Sequence, residues 1–254
     1  MLNLKDIHNY EAPEDLLKSK VIIVTGAGAG IGAEAAKAYA ACGATVILMG
    51  RTVQKLEKVY DEIEAAGHPQ PAIYPVDFNS ACEKTFTEMR ENLNKEFDWI
   101  DGILFNASEL GSRTPIANYN LEEWNKVMQI NVTSQFMMVK ALMPLLEESP
   151  SASVIFTSSG VGRKGRAYWG AYAVSKFATE GLMQVLADEL DEAFKIRVNA
   201  INPGATRTQM RSAAYPAEDP NTLKTPADIM PTYLYLMGPD SEGVSGESVD
   251  AQVR

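Results

Sequence analysis

The sequence predicts an α/β fold: a doubly wound sheet of about seven parallel strands in a single domain, with helices on both faces. Three observations carry this. The strand candidates are short, continuous apolar runs instead of polar–apolar alternations, so both of their faces are buried. A helical pattern separates nearly every strand from the next, which is the connection parallel strands require. No long linker, low-complexity tract or fixed-period repeat divides the chain. Residues 1–19 read as a polar lead-in, with one short helix expected over Pro13–Leu17, and residues 20–254 as the domain.

Taken in order, Val21–Val24 is the first strand, followed at once by a glycine-rich turn from Thr25 to Gly32. The alanine-rich stretch Ala33–Cys42 is helical and Gly43 stops it. Thr45–Met49 is the second strand, and Thr52 caps a helix that ends at Ala66–Gly67. Ala72–Val76 is the third, with Asp77 at its end. Ser80 and Glu83 have capping-box spacing for a helix to Glu96. Ile100–Phe105 is the fourth strand, closed by Asn106, Ala107 and Ser108. Asn120 and Glu123 open a long helix to Glu147, in which the poor helix formers of Asn131–Ser134 predict a kink. Val154–Phe156 is the fifth strand, and a helix follows from Tyr168 to about Phe194. Ile196–Ile201 is the sixth, closed by Asn202, Pro203 and Gly204. Pro226–Met237 is a short helix and Glu247–Asp250 the last strand.

The turn after the first strand has a chemical reading. Glycines let a backbone approach a pyrophosphate closely, and the next helix presents unpaired N–H groups and a partial positive charge. Strand, glycine turn, helix and strand within one short span make this the Rossmann-type dinucleotide site. The residue after the second strand selects the nucleotide. An acidic residue there would bind a ribose 2′-hydroxyl, but the chain has Gly50-Arg51-Thr52, and Arg51 favours NADP over NAD. Asp77 is placed to meet an adenine amino group. In parallel sheets ligands bind at the strand carboxyl ends, where Gly26–Gly32, Arg51, Asp77, Asn106, Ser159 and Pro203–Gly204 all fall.

The stretch Ser153–Lys176 carries the reaction chemistry. Tyr172 and Lys176 are four apart on a helix and therefore share a face. A free phenol titrates at about 10, and a neighbouring ammonium is expected to lower that value toward the working range of acid–base catalysis. Ser159 is placed to hydrogen-bond a substrate oxygen as charge develops on it.

In this order and spacing, Thr25-Gly26-x-x-x-Gly30-Ile31-Gly32, Asp77, Asn106-Ala107, Asn131, Ser159, Tyr172, Lys176 and Pro203-Gly204-x-Thr206 resemble the short-chain dehydrogenase/reductase family over about residues 20–250. The stretches Gly162–Gly181 and Lys224–Pro231 are similar to a bacterial subgroup of mostly uncharacterised oxidoreductases. The resemblance implies NAD(P)-dependent interconversion of a carbonyl and an alcohol, with NADP favoured. Tyr172 would be the acid or base, and Lys176 would lower its pKa and bind the nicotinamide ribose. Ser159 would hold the substrate oxygen and Asn131 a water leading to solvent. Thr25, Gly26, Gly30, Ile31, Gly32, Asn106, Ala107, Pro203, Gly204 and Thr206 would join Arg51 and Asp77 in holding the cofactor. A homodimer or homotetramer is also implied. One departure is Ser108, where the family has glycine, because serine does not adopt a positive φ cheaply.

A net charge of −10 argues against nucleic acid or an anionic membrane as a partner. No apolar run approaches the roughly 18 residues of a membrane span. Cys42 and Cys82 form no metal or redox pattern, and His8 and His68 read as surface residues, so no metal site is expected. A reduced, cytoplasmic setting is the expectation. The basic loop Arg163, Lys164 and Arg166 reads as solvated or interfacial, with recognition of an anionic substrate as the sharper reading. Tyr168, Trp169 and Tyr215 are candidates to line an apolar pocket, under a lid expected over about 206–224. Two other functions stand beside the reductase: a nucleotide-binding regulator without turnover, and a sugar-nucleotide epimerase or dehydratase, whose chains are longer.

Overall fold

A computed structural model describes residues 3–4, 6–190 and 195–253. Its strands are β1 Val21–Thr25, β2 Thr45–Gly50, β3 Ala72–Pro75, β4 Gly102–Phe105, β5 Ala152–Thr157, β6 Ile196–Asn202 and β7 Ser248–Asp250. They form one seven-stranded sheet in the order β3-β2-β1-β4-β5-β6-β7, and every pairing is parallel. The helices are α1 Gly30–Ala41, α2 Val53–Ala65, α3 Glu83–Glu96, α4 Leu121–Met128, α5 Ser134–Glu147, α6 Gly170–Leu190, α7 Gln209–Ala214 and α8 Met230–Met237. The sequence expectation for α6 reached Phe194, which lies outside the described residues.

The apolar runs divide by parity, because successive side chains of a strand point to opposite faces. In β1, Ile22 and Val24 join a core with α1, α2 and α8, whereas Ile23 joins a second core with α3, α5 and α6. Burying both faces of five central residues is what makes a continuous apolar run the right sequence for such a strand.

Two local expectations are corrected. The Pro13–Leu17 segment is a turn, and the lead-in is not merely polar: Ile7, Leu16 and Leu17 are buried in the first core, and Leu17 N–H donates to Cys42 O at 2.9 Å. The cap of α3 is Cys82 with Thr85, not Ser80 with Glu83. Cys82 N–H donates to Thr85 Oγ1 at 3.2 Å, while Ser80 belongs to a turn closed on Asp77. Ser108 does not take a positive φ, in keeping with what that conformation costs a serine.

The long helix bends where expected. Between α4 and α5 the chain makes a π turn over Gln129–Thr133 that contains Asn131. The segment 206–224 is closed at its base by a bridge between Thr206 and Lys224, where Arg207 N–H donates to Lys224 O at 2.8 Å. Within it, Thr208 caps α7, and Arg211 makes a two-point ion pair with Glu218, both contacts at 2.6 Å.

Candidate active site

Two cavities lie along the carboxyl edge of the sheet and share Gly26, Ala29, Ala107 and Ser108. The outer one, of about 290 Å³, is walled by Arg51, Thr52, Lys55, Leu56, Asp77 and Phe78. The larger, of about 370 Å³, lies between the β5 end, the first turns of α1 and α6, and the segment 206–214. Together they run from the end of β3 across to α6.

The glycine turn forms the cradle between them. Gly26 has φ +68° and lies so close to Ala107 that a Cβ would approach its backbone to 3.0 Å. A Cβ on Gly32 would meet Gly26 O at 2.3 Å and Asn106 Nδ2 at 2.6 Å, so Gly32 permits α1 to dock on the loop and does not itself line either cavity. Ala29 precedes α1 and offers no capping side chain, which leaves the first-turn N–H groups of a buried helix facing the larger cavity beside Gly30 and Ile31. An uncapped helix start, a close backbone approach and two cations at the outer end fit a dinucleotide with an additional phosphate.

Thr25 does not face the cleft. Its hydroxyl donates to Leu104 O at 3.2 Å and accepts from Asn106 N–H at 2.9 Å and Ala107 N–H at 3.0 Å. Its place is structural: it ties the ends of β1 and β4, and so positions Asn106 and Ala107, which do line the cleft. Pro203, Gly204 and Thr206 wall the other side. Thr206 Oγ1 donates to Pro203 O at 2.9 Å, and Gln252 Nε2 donates to Thr206 Oγ1 at 3.1 Å.

Ser159, Tyr172 and Lys176 converge in the larger cavity. Ser159 Oγ accepts from Val161 N–H at 3.4 Å, which leaves its own proton free to be donated. Lys176 Nζ donates to Thr157 O at 2.7 Å and lies 5.6 Å from the centre of the Tyr172 ring. The expected acidification of the phenol is overturned in this arrangement. Burial pushes Tyr172 up to about 12, with the Ser159 hydroxyl pulling the other way. Burial also pushes Lys176 down to about 8, against the attraction of Glu180. Desolvation outweighs the neighbouring cation, and the phenol is held as a proton donor.

Asn131 is buried beside this group but does not line the cavity. Its Oδ1 accepts from Glu109 N–H at 2.7 Å, and its Nδ2 donates to Glu109 O and to Ser175 Oγ, both at 2.9 Å. The side chain therefore joins the loop after β4 to α6.

Arg163 is turned away from the cleft. It donates to Ser248 Oγ at 3.0 Å and Val249 O at 3.0 Å, and pairs with Asp250 at 2.6 Å. Lys164, Arg166 and Tyr168 are exposed and line neither cavity. Trp169 does wall the larger cavity, with Leu110, Met210 and Ala214. Tyr215 supports Trp169 from behind at 5.9 Å, and Arg113 spans both rings at 4.8 and 4.9 Å. Lys55 and Arg113 are residues the sequence reading missed. Lys55, one turn past Arg51, was recoverable from helical spacing, whereas nothing local marks Arg113.

A phenol and an ammonium stand one turn apart, opposite a glycine cradle on the same sheet edge. The fold and site thus define a nucleotide-dependent oxidoreductase. Residues 20–219 match the family model for the short chain dehydrogenase, and the chain belongs to that family. It is 50% identical over 244 residues to the uncharacterised oxidoreductase YciK of Escherichia coli (strain K12), covering 96% of each chain. A solved short chain dehydrogenase from Pseudomonas syringae is 55% identical with a TM-score of 0.94, over 96% of this chain and 98% of that one. A short chain dehydrogenase from Shigella flexneri, solved in complex with NADP, is 51% identical with a TM-score of 0.93, over 95% and 100%.

Proposed function

We propose that this protein is an NADP-dependent oxidoreductase that interconverts an uncharged carbonyl and its alcohol, with Tyr172 as the acid or base. The observation that carries the reading is the convergence of Ser159, Tyr172 and Lys176 in a cavity continuous with the glycine cradle. Arg51 and Lys55 at the outer end support NADP, as does the NADP complex of the Shigella relative. The bound cofactor supplies or accepts the hydride. In reduction, Ser159 donates a hydrogen bond to the carbonyl oxygen and Tyr172 transfers its proton to that oxygen as negative charge builds there. The resulting phenolate is stabilised by the Lys176 ammonium on the same helix face. Oxidation runs the same proton in reverse. Asn131 serves as a positioning residue, holding α6 against the loop after β4.

The substrate side of the cavity is apolar, formed by Leu110, Trp169, Met210 and Ala214. Arg211 is the cation beside it, and Glu218 neutralises that charge. This favours neutral over anionic carbonyls, against the reading of the basic loop as an anion site. The protein works as a homodimer or homotetramer in a reduced, cytoplasmic setting, in keeping with its free Cys42 and Cys82.

The test is NADPH and NADH oxidation against matched neutral and anionic aldehydes and ketones. NADPH and the neutral members should be preferred, and Tyr172→Phe should lower kcat by about 10²–10⁴-fold without comparable loss of NADPH binding. Equal activity of the Tyr172→Phe enzyme sinks the proton-donor assignment. NADPH binding with no turnover of any carbonyl would leave a silent nucleotide-binding protein.

A further inference from the structure

Helix α6 carries a third functional group at the same spacing. Tyr172, Lys176 and Glu180 are successive members of one i, i+4, i+8 face, and each is tied to one of three consecutive residues at the end of β5. Tyr172 lines the same cavity as Ser159, whose hydroxyl acts to lower the phenol, and Lys176 Nζ donates to Thr157 O. Ser158 Oγ donates to Glu180 Oε1 at 2.5 Å. Glu180 is 6% exposed, and the same oxygen also accepts from Ser248 Oγ at 2.8 Å. Behind it stands Arg163, with Nε at 3.6 Å from that oxygen.

A carboxylate this buried is costly unless paired, and a hydroxyl pair alone does not compensate its charge. Arg163 is shared with Asp250, so Glu180 is only partly neutralised from behind. Lys176 stands one turn earlier on the same face of α6, where the charge of Glu180 favours its protonated form. The groups facing the lysine and its carboxylate are Tyr172 and Glu180 on α6, Tyr233 from α8, on which Tyr172 acts, and Arg163 and Asp250 from the loop before α6 and from β7.

We propose that Glu180, backed by Arg163, is a positioning residue for the catalytic pair: it locks the β5 end onto α6 and supplies the negative charge that keeps Lys176 an ammonium. This rests on the reading of Tyr172 and Lys176 as the proton-handling pair, and it gives Arg163, held against Glu180 and Asp250, a purpose that an anion-binding loop would not.

The experiment is the pH profile of kcat for carbonyl reduction by the full-length enzyme with NADPH, alongside a titration of the Lys176 Cε resonance in ¹³C-lysine-labelled protein without cofactor. The signs follow from the charges. Glu180 favours the protonated lysine, so Glu180→Gln, which keeps an oxygen acceptor for Ser158 and Ser248, should move the alkaline limb and the lysine titration down by about one pH unit. Below that limb kcat should remain close to wild type, and Glu180→Asp should restore the limb. Arg163→Gln removes the competing cation, and should move both curves in the opposite direction. An even loss of kcat at every pH, with limb and titration unmoved, would mean that Glu180 is only a structural residue, and the proposal falls. Where Glu180→Gln does not fold, Arg163→Gln decides: an upward shift supports the proposal, and no shift or a downward one overturns it. If no carbonyl is reduced at all, the reductase reading has failed, while the NMR titration still reports on Glu180 and Lys176.

Discussion

At the scale of single residues, the site depends on what burial does to polar groups. Tyr172 and Lys176 are both enclosed, and desolvation acts on each by disfavouring its charged form, raising the phenol and lowering the ammonium. The phenol is thereby kept protonated at neutral pH, and the ammonium is lost at lower pH than that of a solvated lysine. Close backbone approach is the second residue-scale requirement. Gly32→Ala would drive a methyl group against Gly26 O and Asn106 Nδ2, where neither neighbour is a free side-chain end. It should cost about 1–3 kcal/mol in urea denaturation and weaken NADPH binding in a fluorescence titration. An alanine enzyme with unchanged midpoint and affinity would show that α1 does not need this contact.

Elements are joined by a few polar nodes at the two edges of the sheet. At the amino edge, Asp101 precedes β4 and is almost fully buried. It accepts from Lys20 Nζ and Val21 N–H, both at 2.9 Å, from Ser149 Oγ at 2.8 Å and from Trp99 Nε1 at 3.2 Å. One carboxylate thus joins the starts of β1 and β4 to the turn before β5. Asp101→Ala would strand these donors, and should lower the unfolding free energy by about 3 kcal/mol with kcat of the folded fraction little changed. Denaturant titration with a parallel activity assay checks both parts. At the carboxyl edge, Thr25 does the same for β1 and β4, which is why it belongs to the scaffold of the site and not to its lining.

For the whole molecule, the order β3-β2-β1-β4-β5-β6-β7 reverses direction between β1 and β4, and the shared wall of the two cavities lies there. The outer faces of α5 and α6 expose Phe136, Val174, Phe177 and Val185, a set of apolar side chains on neighbouring helices that suits burial against a second copy. Light scattering should therefore give two or four times the 27.7 kDa chain mass, and the double variant Phe136→Glu with Phe177→Glu should give the single mass. A wild-type protein that is monomeric at micromolar concentration ends the oligomer proposal.

Much of this was legible in the sequence, because it depends on local pattern. The apolar runs at Val21–Val24 and Val154–Phe156 read as strands buried on both faces, and glycines between strand and helix pointed to a close backbone approach. Helical spacing alone put Tyr172 and Lys176 on one face, and left Lys55 to be found one turn after Arg51. Tertiary structure decided whatever depends on burial and on distant partners. The direction in which Tyr172 shifts was set by enclosure, not by the cation four residues away. Arg163 turned to Asp250 and Glu180 because β7, some eighty residues later in the chain, brings the carboxylate there. Asn131 was claimed by Glu109 and Ser175. Spacing along a chain fixes which side chains share a face, but desolvation and long-range pairing exist only once the chain has closed around them.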